Sequence, residues 1–275
     1  MQQMMKIGNR VFDLHHTYVM AILNVTPDSF SDGGSYRGMD DVLKKVEQMI
    51  TEGADIIDVG GESTRPGHTV ISDAEEISRV APAIEAITRR FDIPVSVDTY
   101  KASVAKAALQ SGAHMVNDIW GLQYDSAMAD VIAKAEVCCC LMHNQKDKQY
   151  QNFLPDCMHT LQHSVDIALN AGIPKQNIML DPGIGFAKTY EQNLYVMNHL
   201  ERFNELGYPM LLGTSRKSMI GLALDLPVDQ RLEGTLVTTV LAVQAGWNFI
   251  RVHDVKENVR AIRMMEVIRN GYKLY

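Results

Sequence analysis

The chain has 275 residues, of which 46% are hydrophobic, and a formal net charge of -7. That length suits one large α/β domain or two small ones, and the negative balance argues against non-specific affinity for nucleic acid. No apolar run approaches the roughly eighteen residues of a membrane span, and residues 1–14 lack the long apolar segment of a secretory signal. The expectation is a soluble cytoplasmic protein without a membrane partner.

Short runs rich in Val and Ile alternate with longer amphipathic stretches. Residues 6–14 read as a short hairpin, placed at the bottom of whatever follows. Strands are predicted over 18–26, 55–61, 95–100, 115–120, 137–143, 177–183, 209–215 and 249–254. Helix-length segments follow them at 39–52, 73–90, 100–111, 126–135, 156–171, 190–203, 229–245 and 255–269. Eight strand–helix units in about 260 residues is the arithmetic of a single (β/α)8 TIM barrel, one domain over 1–275. An open doubly wound sheet fits less well, because eight regular units without a second domain favour closure. Gly112, Gly172 and Gly246 follow periodic helical stretches, where a left-handed residue is wanted.

The four cysteines are Cys138, Cys139, Cys140 and Cys157. The triplet lies in the apolar run of the fifth strand, where neighbours face opposite sides, a poor arrangement for a disulfide or a metal. Buried thiols in a reducing compartment are expected. His159 and His163 stand one helical turn apart but lack a third ligand, so they read as an exposed helix face. Gly183-Ile-Gly185 is no dinucleotide fingerprint, and Gly213-Thr-Ser-Arg-Lys-Ser218 lacks half of a P-loop. No Ser-His-Asp or Cys-His set is legible.

The stretch from Asn24 to Gly34 leaves the first strand with Pro27, three hydroxyls, two aspartates and a Gly-Gly pair. It is too polar and turn-rich for a core element and reads as a loop at the C-terminal end of a strand, where chemistry concentrates. Asn24 should be fixed by the barrel, and residues 28–34 should act as a lid.

Alternate residues of a barrel strand face the interior. In the third strand Val95 and Val97 share one face, and Ser96 and Asp98 share the other. In the sixth, Ile178 and Leu180 oppose Met179 and Asp181; in the eighth, Ile250 and Val252 oppose Arg251 and His253. Asn117 opposes Val116, and Asn24 goes with Ile22. Five strands therefore aim Asn24, Asp98, Asn117, Asp181, Arg251 and His253 at one mouth, with Lys217 just beyond the seventh strand. Active sites of such barrels lie there, and ionisable interior residues are rare unless paired or used. Asp98, Asn117 and Asp181 suit a heterocycle bearing adjacent N–H and NH₂ groups, and Lys217 its carbonyl. Arg65, Arg251 and His253 suit a phosphate or pyrophosphate, and the Asn24 amide oxygen suits Mg²⁺.

The blocks at Asn24 to Gly34, Asp58 to Gly67, Ser96-Val-Asp-Thr99, Asn117-Asp118, Met142-His143, Leu180 to Phe186, Thr214-Ser-Arg-Lys-Ser218 and Arg251-Val-His253 resemble the dihydropteroate synthase family. They run in family order over nearly the whole chain. The resemblance implies a transferase of folate biosynthesis that joins 6-hydroxymethyl-7,8-dihydropterin diphosphate to 4-aminobenzoate with Mg²⁺, releasing pyrophosphate. It implies pterin contacts from Asp98, Asn117, Ile119, Met142, Asp181, Gly213 and Lys217. Asn24, Thr64, Arg65, Arg251 and His253 would hold the pyrophosphate, with Asn24 on the metal. Phe30, Thr64, Pro66, Phe186, Lys217 and Ser218 would shape the aminobenzoate pocket. Asp98, Asp181, Lys217, Arg251 and His253 would carry the catalysis, and the family implies a homodimer packed through the last helices. A methyltetrahydrofolate-type methyltransferase of the same barrel class, and a pterin-binding relative without activity, are the alternatives. The first has no need of Arg251, His253 or the Asn24 loop.

Overall fold

The computed structural model describes residues 3–25, 36–62 and 70–271. The chain opens with an antiparallel hairpin of β1 (Met4–Ile7) and β2 (Arg10–Asp13). Alternation gives it two faces: Met5, Ile7 and Phe12 are buried, whereas Met4 and Val11 are exposed.

Eight parallel strands follow: β3 (Tyr18–Asn24), β4 (Ile56–Gly60), β5 (Val95–Asp98), β6 (Met115–Asp118), β7 (Cys138–Met142), β8 (Ile178–Asp181), β9 (Leu211–Leu212) and β10 (Phe249–Val252). They pair in the order β8-β7-β6-β5-β4-β3-β10-β9. The ring closes thinly through a parallel bridge between Leu180 and Met210 and a 2.9 Å bond from Leu180 N to Pro209 O. The seventh barrel strand, Leu211–Leu212, is far shorter than the predicted 209–215; Pro209, which has no N–H to give the ladder, accounts for its late start. The result is a nearly closed (β/α)8 barrel with the expected hairpin.

The helices wrapping it are α1 (Tyr36–Glu52), α2 (Asp73–Arg90), α3 (Ala102–Gln110), α4 (Met128–Ala135), α5 (Phe153–Asn170), α6 (Tyr190–Met197), α7 (Ser218–Leu224), α8 (Leu232–Gln244) and α9 (Val255–Asn270). Ser72 caps α2 by accepting from Glu75 N at 3.2 Å, and acidic Asp73, Glu75 and Glu76 fill its first turn. Gly112, Gly172 and Gly246 take positive φ after their helices, as expected. Two segments differ from the sequence reading. The helix predicted over 190–203 splits, because α6 gives way to a 3₁₀ turn at Leu200–Leu206. Leu200 and Phe203, three residues apart, are both buried by that turn. The short α7 lies in what reads as a connection.

Side-chain alternation sorts the barrel into layers. Val19, Ala21, Leu23, Ile57, Val59, Val95, Val97, Val116, Leu180, Ile250 and Val252 point outward into the large core shared with the helices. Met20, Ile56, Met115, Cys138, Cys140, Met179, Leu211 and Phe249 point inward and meet Met5, Ile7 and Phe12 of the hairpin. Phe12 sets its ring edge-on to Tyr18 and Phe249 at 4.8 and 5.6 Å. This apolar plug is the barrel floor. One residue pair further along the strands, the inward positions become polar.

Candidate active site

The polar layer begins with a guanidinium between two carboxylates. Arg251, inward on β10, donates from Nε to Asp58 Oδ2 at 2.6 Å and from Nη2 to Asp98 Oδ2 at 2.5 Å. Asp58, inward on β4, also accepts from Asn117 Nδ2 of β6 at 3.2 Å. Arg251, Asp58, Asp98 and Asn117 therefore form one chain of bonds across four strands. Burial raises Asp98 to about 7, with Arg251 opposing the rise and neighbouring Asp58 adding to it. Burial works against the Arg251 charge too, but Asp98 and Asp58 more than offset it and raise its value. Nη1 carries two further donors for a ligand.

Asp181, at the end of β8, receives Gly183 N on Oδ1 at 2.6 Å. Burial raises its carboxyl, and Lys217 restrains the rise. Lys217, just before α7, donates to Ile184 O and lies 4.5 Å from the centre of the Phe186 ring. Its half-buried ammonium is lowered to about 8 by burial, with Asp181 opposing and Arg251 reinforcing the fall. Two inward positions carry no side chain. A Cβ on Gly213 would stand 3.6 Å from Asp181 Oδ2, and one on Gly60 would stand 3.6 Å from Asn24 Oδ1 and 3.7 Å from Asp98 Oδ2. Their absence leaves space beside the carboxylates for a flat group. Tyr100, Ile119 and Met142 form a small buried cluster joined by Trp120 and Phe186, an apolar wall for that space.

At the rim, His253 Nδ1 lies 3.0 Å from Ser215 Oγ, which also accepts from the His253 backbone N–H at 3.2 Å. Arg216 forms a two-pronged ion pair with Asp254, so the loops after β9 and β10 are joined twice. Asn24 is exposed at the end of β3, and Ser218 is exposed at the start of α7. Among the described residues no group of three or more His, Cys, Asp and Glu could hold a metal. One amide oxygen at the mouth suits a cation that keeps its waters and leans on ligand oxygens.

The geometry thus brings together Asp98, Asn117, Ile119, Met142, Asp181, Phe186, Gly213, Lys217 and Arg251, with Asn24, Ser218 and His253 at the rim. Phe30, Thr64, Arg65 and Pro66, like the lid expected over 28–34, lie outside the described residues. Asp58 is the member the sequence reading missed. It sits mid-run on the inward phase of the second strand, so alternation counted back from Gly60 would have found it. His143, the residue after β7, is fully buried, with Nδ1 2.8 Å from Lys188 Nζ of the loop after β8. His159 and His163 stand exposed on α5, and all four cysteines are buried and free.

Comparison with known proteins identifies the family. The sequence model of the pterin binding enzyme family matches residues 20–253, which spans the strands that supply the mouth. A dihydropteroate synthase of Clostridium beijerinckii is 58% identical over 266 residues, 96% of this chain and 99% of that one. The chain belongs to the dihydropteroate synthase family of pterin-binding enzymes. Solved structures of that family superpose closely. The Clostridium difficile enzyme, crystallised in the presence of pteroic acid, gives a TM-score of 0.90 at 48% identity and covers 97% of this chain and 99% of its own. The Xanthomonas albilineans enzyme with 4-aminobenzoic acid gives 0.92 at 37%, covering 99% of this chain and all of its own. Dihydropteroate synthases are transferases, and the methyltransferase alternative is not favoured. Among the described residues no helix is long and apolar enough to cross a membrane.

Proposed function

We propose that the chain, acting as one cytoplasmic catalytic domain, condenses 6-hydroxymethyl-7,8-dihydropterin diphosphate with 4-aminobenzoate to give 7,8-dihydropteroate and pyrophosphate. The observation that carries this reading is the layer of Asp58, Asp98, Asn117, Asp181, Lys217 and Arg251 at one barrel mouth. Asp181 accepts the paired donors of the pterin amino edge, Asn117 and Asp98 take the remaining ring positions, and Lys217 donates to the carbonyl. Ile119, Met142 and the side-chain-free Gly213 meet the faces of the ring. Asn24, Arg251 and His253, with Thr64 and Arg65 of the second loop, receive the diphosphate. Phe186, Ser218, Phe30, Thr64, Pro66 and the stem of Lys217 line the aminobenzoate pocket.

In the reaction the pterin methylene carbon loses its bond to the diphosphate oxygen and gains one to the aryl nitrogen, which sheds a proton to solvent. Positive charge accumulates on the pterin as the leaving group departs. Asp58, Asp98 and Asp181 oppose Arg251 and Lys217, so the ionised cluster carries one excess negative charge. That excess, held in a site screened from water, favours the cationic ring more than the neutral one. An arylamine is already nucleophilic, so the transfer needs no strong general base. Mg²⁺, held by Asn24 with ligand oxygens and water, would supply neutralisation of the leaving diphosphate. A homodimer is supported by the apolar surface of the last helices, where Leu222, Leu224, Val237, Leu241, Met264, Val267 and Ile268 are exposed.

Incubating the protein with both substrates and Mg²⁺ should give dihydropteroate, read by mass. No product above background would sink the proposal. Arg251→Ala should weaken binding of the diphosphate ester more than binding of the pterin alcohol in calorimetry. Equal losses would contradict the diphosphate assignment.

A further inference from the structure

Lys188 is a buried cation for which the transfer chemistry above has no use. It is 3% exposed. Its ammonium donates to Gly183 O at 3.1 Å and Phe186 O at 3.2 Å, and it lies 2.8 Å from His143 Nδ1. An ammonium has only donors, so Nδ1 must accept, and the imidazole is neutral with its proton on Nε2. Burial holds His143 neutral, and the charge of Lys188 adds to that effect. An ammonium enclosed by carbonyls and an imidazole is costly to keep, so packing alone does not account for it.

The two carbonyls belong to one loop, which links β8 to α6. Gly183, Gly185 and Ala187 all take positive φ there, at 69°, 85° and 47°, so the chain curls on itself. A Cβ on Gly183 would stand 2.0 Å from His143 O, which shows how closely the loop presses on the end of β7. Tyr150 Oη donates to Ala187 O at 2.7 Å, and Gly185 N donates to Asn193 Oδ1 at 2.7 Å. The same loop meets the mouth at three points: Gly183 N on Asp181, Ile184 O on Lys217, and the Phe186 ring against the Lys217 ammonium. Lys188 is the inner anchor of a loop whose outer face holds Lys217.

We propose that Lys188 is a positioning residue of the transfer site: it ties Gly183 to Phe186 and so fixes the carbonyl and the ring that place Lys217. The inference rests on the roles given above to Lys217 and Phe186. A methionine would fill the same space but could not bond two carbonyls. The groups facing Lys188 are His143 just after β7, Tyr150 before α5, Cys157 on α5, Asp181 at the end of β8 and Lys217 before α7. Burial lowers Lys188 to about 8, with Cys157 and Asp181 opposing. Because Lys188 also pushes Lys217 down, its replacement should raise Lys217 by deleting a like charge.

The test is Lys188→Met in the full chain, with kinetics between about pH 6 and 10 and NMR titration of carbon-13-labelled lysines. The catalytic efficiency for 4-aminobenzoate should fall about tenfold, and the calorimetric affinity for the pterin diphosphate should fall by a smaller factor, because Lys217 also meets the pterin but Asp181, Asp98 and Asn117 still hold the ring. The low-titrating Lys217 resonance should move upward, and the alkaline limb of activity should move with it. Equal losses for both substrates with an unmoved Lys217 titration would overturn the proposal. Should that variant fail to fold, His143→Phe removes one acceptor while keeping a ring against Tyr150. It should show the same preference for loss on the aminobenzoate side, to a smaller degree, and wild-type kinetics there would also overturn it. A wild-type chain that makes no dihydropteroate would instead refute the parent reading, and the lysine titration would still report on Lys188.

Discussion

The floor and the mouth of the barrel come from the same strands and the same alternation, yet they follow opposite rules. On β8 the change falls between Met179 and Asp181, roughly 7 Å along the strand; on β6 it falls between Met115 and Asn117. Below that level the inward strand residues are apolar except for Ser96 on β5, and the hairpin supplies Met5, Ile7 and Phe12 to complete the packing. Each fully buried side chain of that size stabilises by about 1.5–3 kcal/mol. Above it, the barrel buries carboxylates and cations whose desolvation opposes folding. Asp58 Oδ1 and Asp98 Oδ1 are buried acceptors with no hydrogen-bond partner among the described residues. The floor is built to hold the barrel shut, and the mouth is built to be completed by a ligand.

The largest test of that contrast is Asp181→Ala. Two charge-assisted bonds to a pterin at about 1.5–3 kcal/mol each imply that affinity falls by roughly 10²–10⁴-fold. The protein itself should remain folded, because a buried carboxyl has been removed rather than a packing group. Isothermal calorimetry paired with thermal unfolding separates the two. Wild-type affinity would end the assignment of Asp181 to the pterin, and a collapse of stability would show that the mouth holds the barrel together after all.

The pH dependence of ligand-free stability is a subtler probe. Asp98 is raised by burial to about 7 from an ordinary value of 3.8. A raised carboxyl contributes stability that is fully present below the unfolded value and is lost as pH climbs through the folded one. Between pH 3.8 and 7 the ligand-free chain should therefore lose stability through this group, with a ceiling of about 4 kcal/mol. Lys217, lowered to about 8, acts at the other end: its penalty stands below 8 and is relieved as pH rises toward 10.5. Between about pH 7 and 8, where Asp98 has ionised and Lys217 still holds its proton, the empty mouth is at its least favourable. Asp98→Asn should flatten the acid side of a plot of Tm against pH. An unchanged slope in that variant would move the effect to Asp118, which burial raises to about 6 behind the same strand layer.

Most of the fold was legible because periodicity reports which side of a strand is wet. The strand positions, the hairpin and most helices follow the sequence reading to within a few residues, and α2 falls on its predicted span. Periodicity could not foresee the split after α6, the late start of β9 after Pro209, or α7. At the site, alternation pointed to Asp98, Asn117, Asp181 and Arg251, because each is the last inward residue of its strand. It passed over Asp58, one step lower, where an acid in an apolar run has no rim signal. That omission hid the fact that Arg251 turns down toward two carboxylates. Lys188 carries no sequence signal at all, since only the fold shows a lysine in a glycine-rich loop turning inward rather than to solvent. His143 illustrates the converse, a residue just past its strand whose ring faces Lys188 of the loop after β8.

The smallest effect gives the sharpest test of separation. Ile7→Val trims one methyl group from the floor and should lower stability by about 0.5–1.5 kcal/mol. Ile7 sits on the hairpin in the floor cluster that also holds Met20 and Met179, apart from the carboxylates, so KM for either substrate should not move. Sites that share no partner usually add within about 0.3–0.5 kcal/mol. Combined with Asp98→Asn, the floor change should therefore shift the whole Tm profile down by the same amount at every pH. A coupling larger than that, or any change in KM from Ile7→Val alone, would mean that the packed floor sets the geometry of the charges above it. Stability and binding would then be one property of the barrel rather than two layers of it.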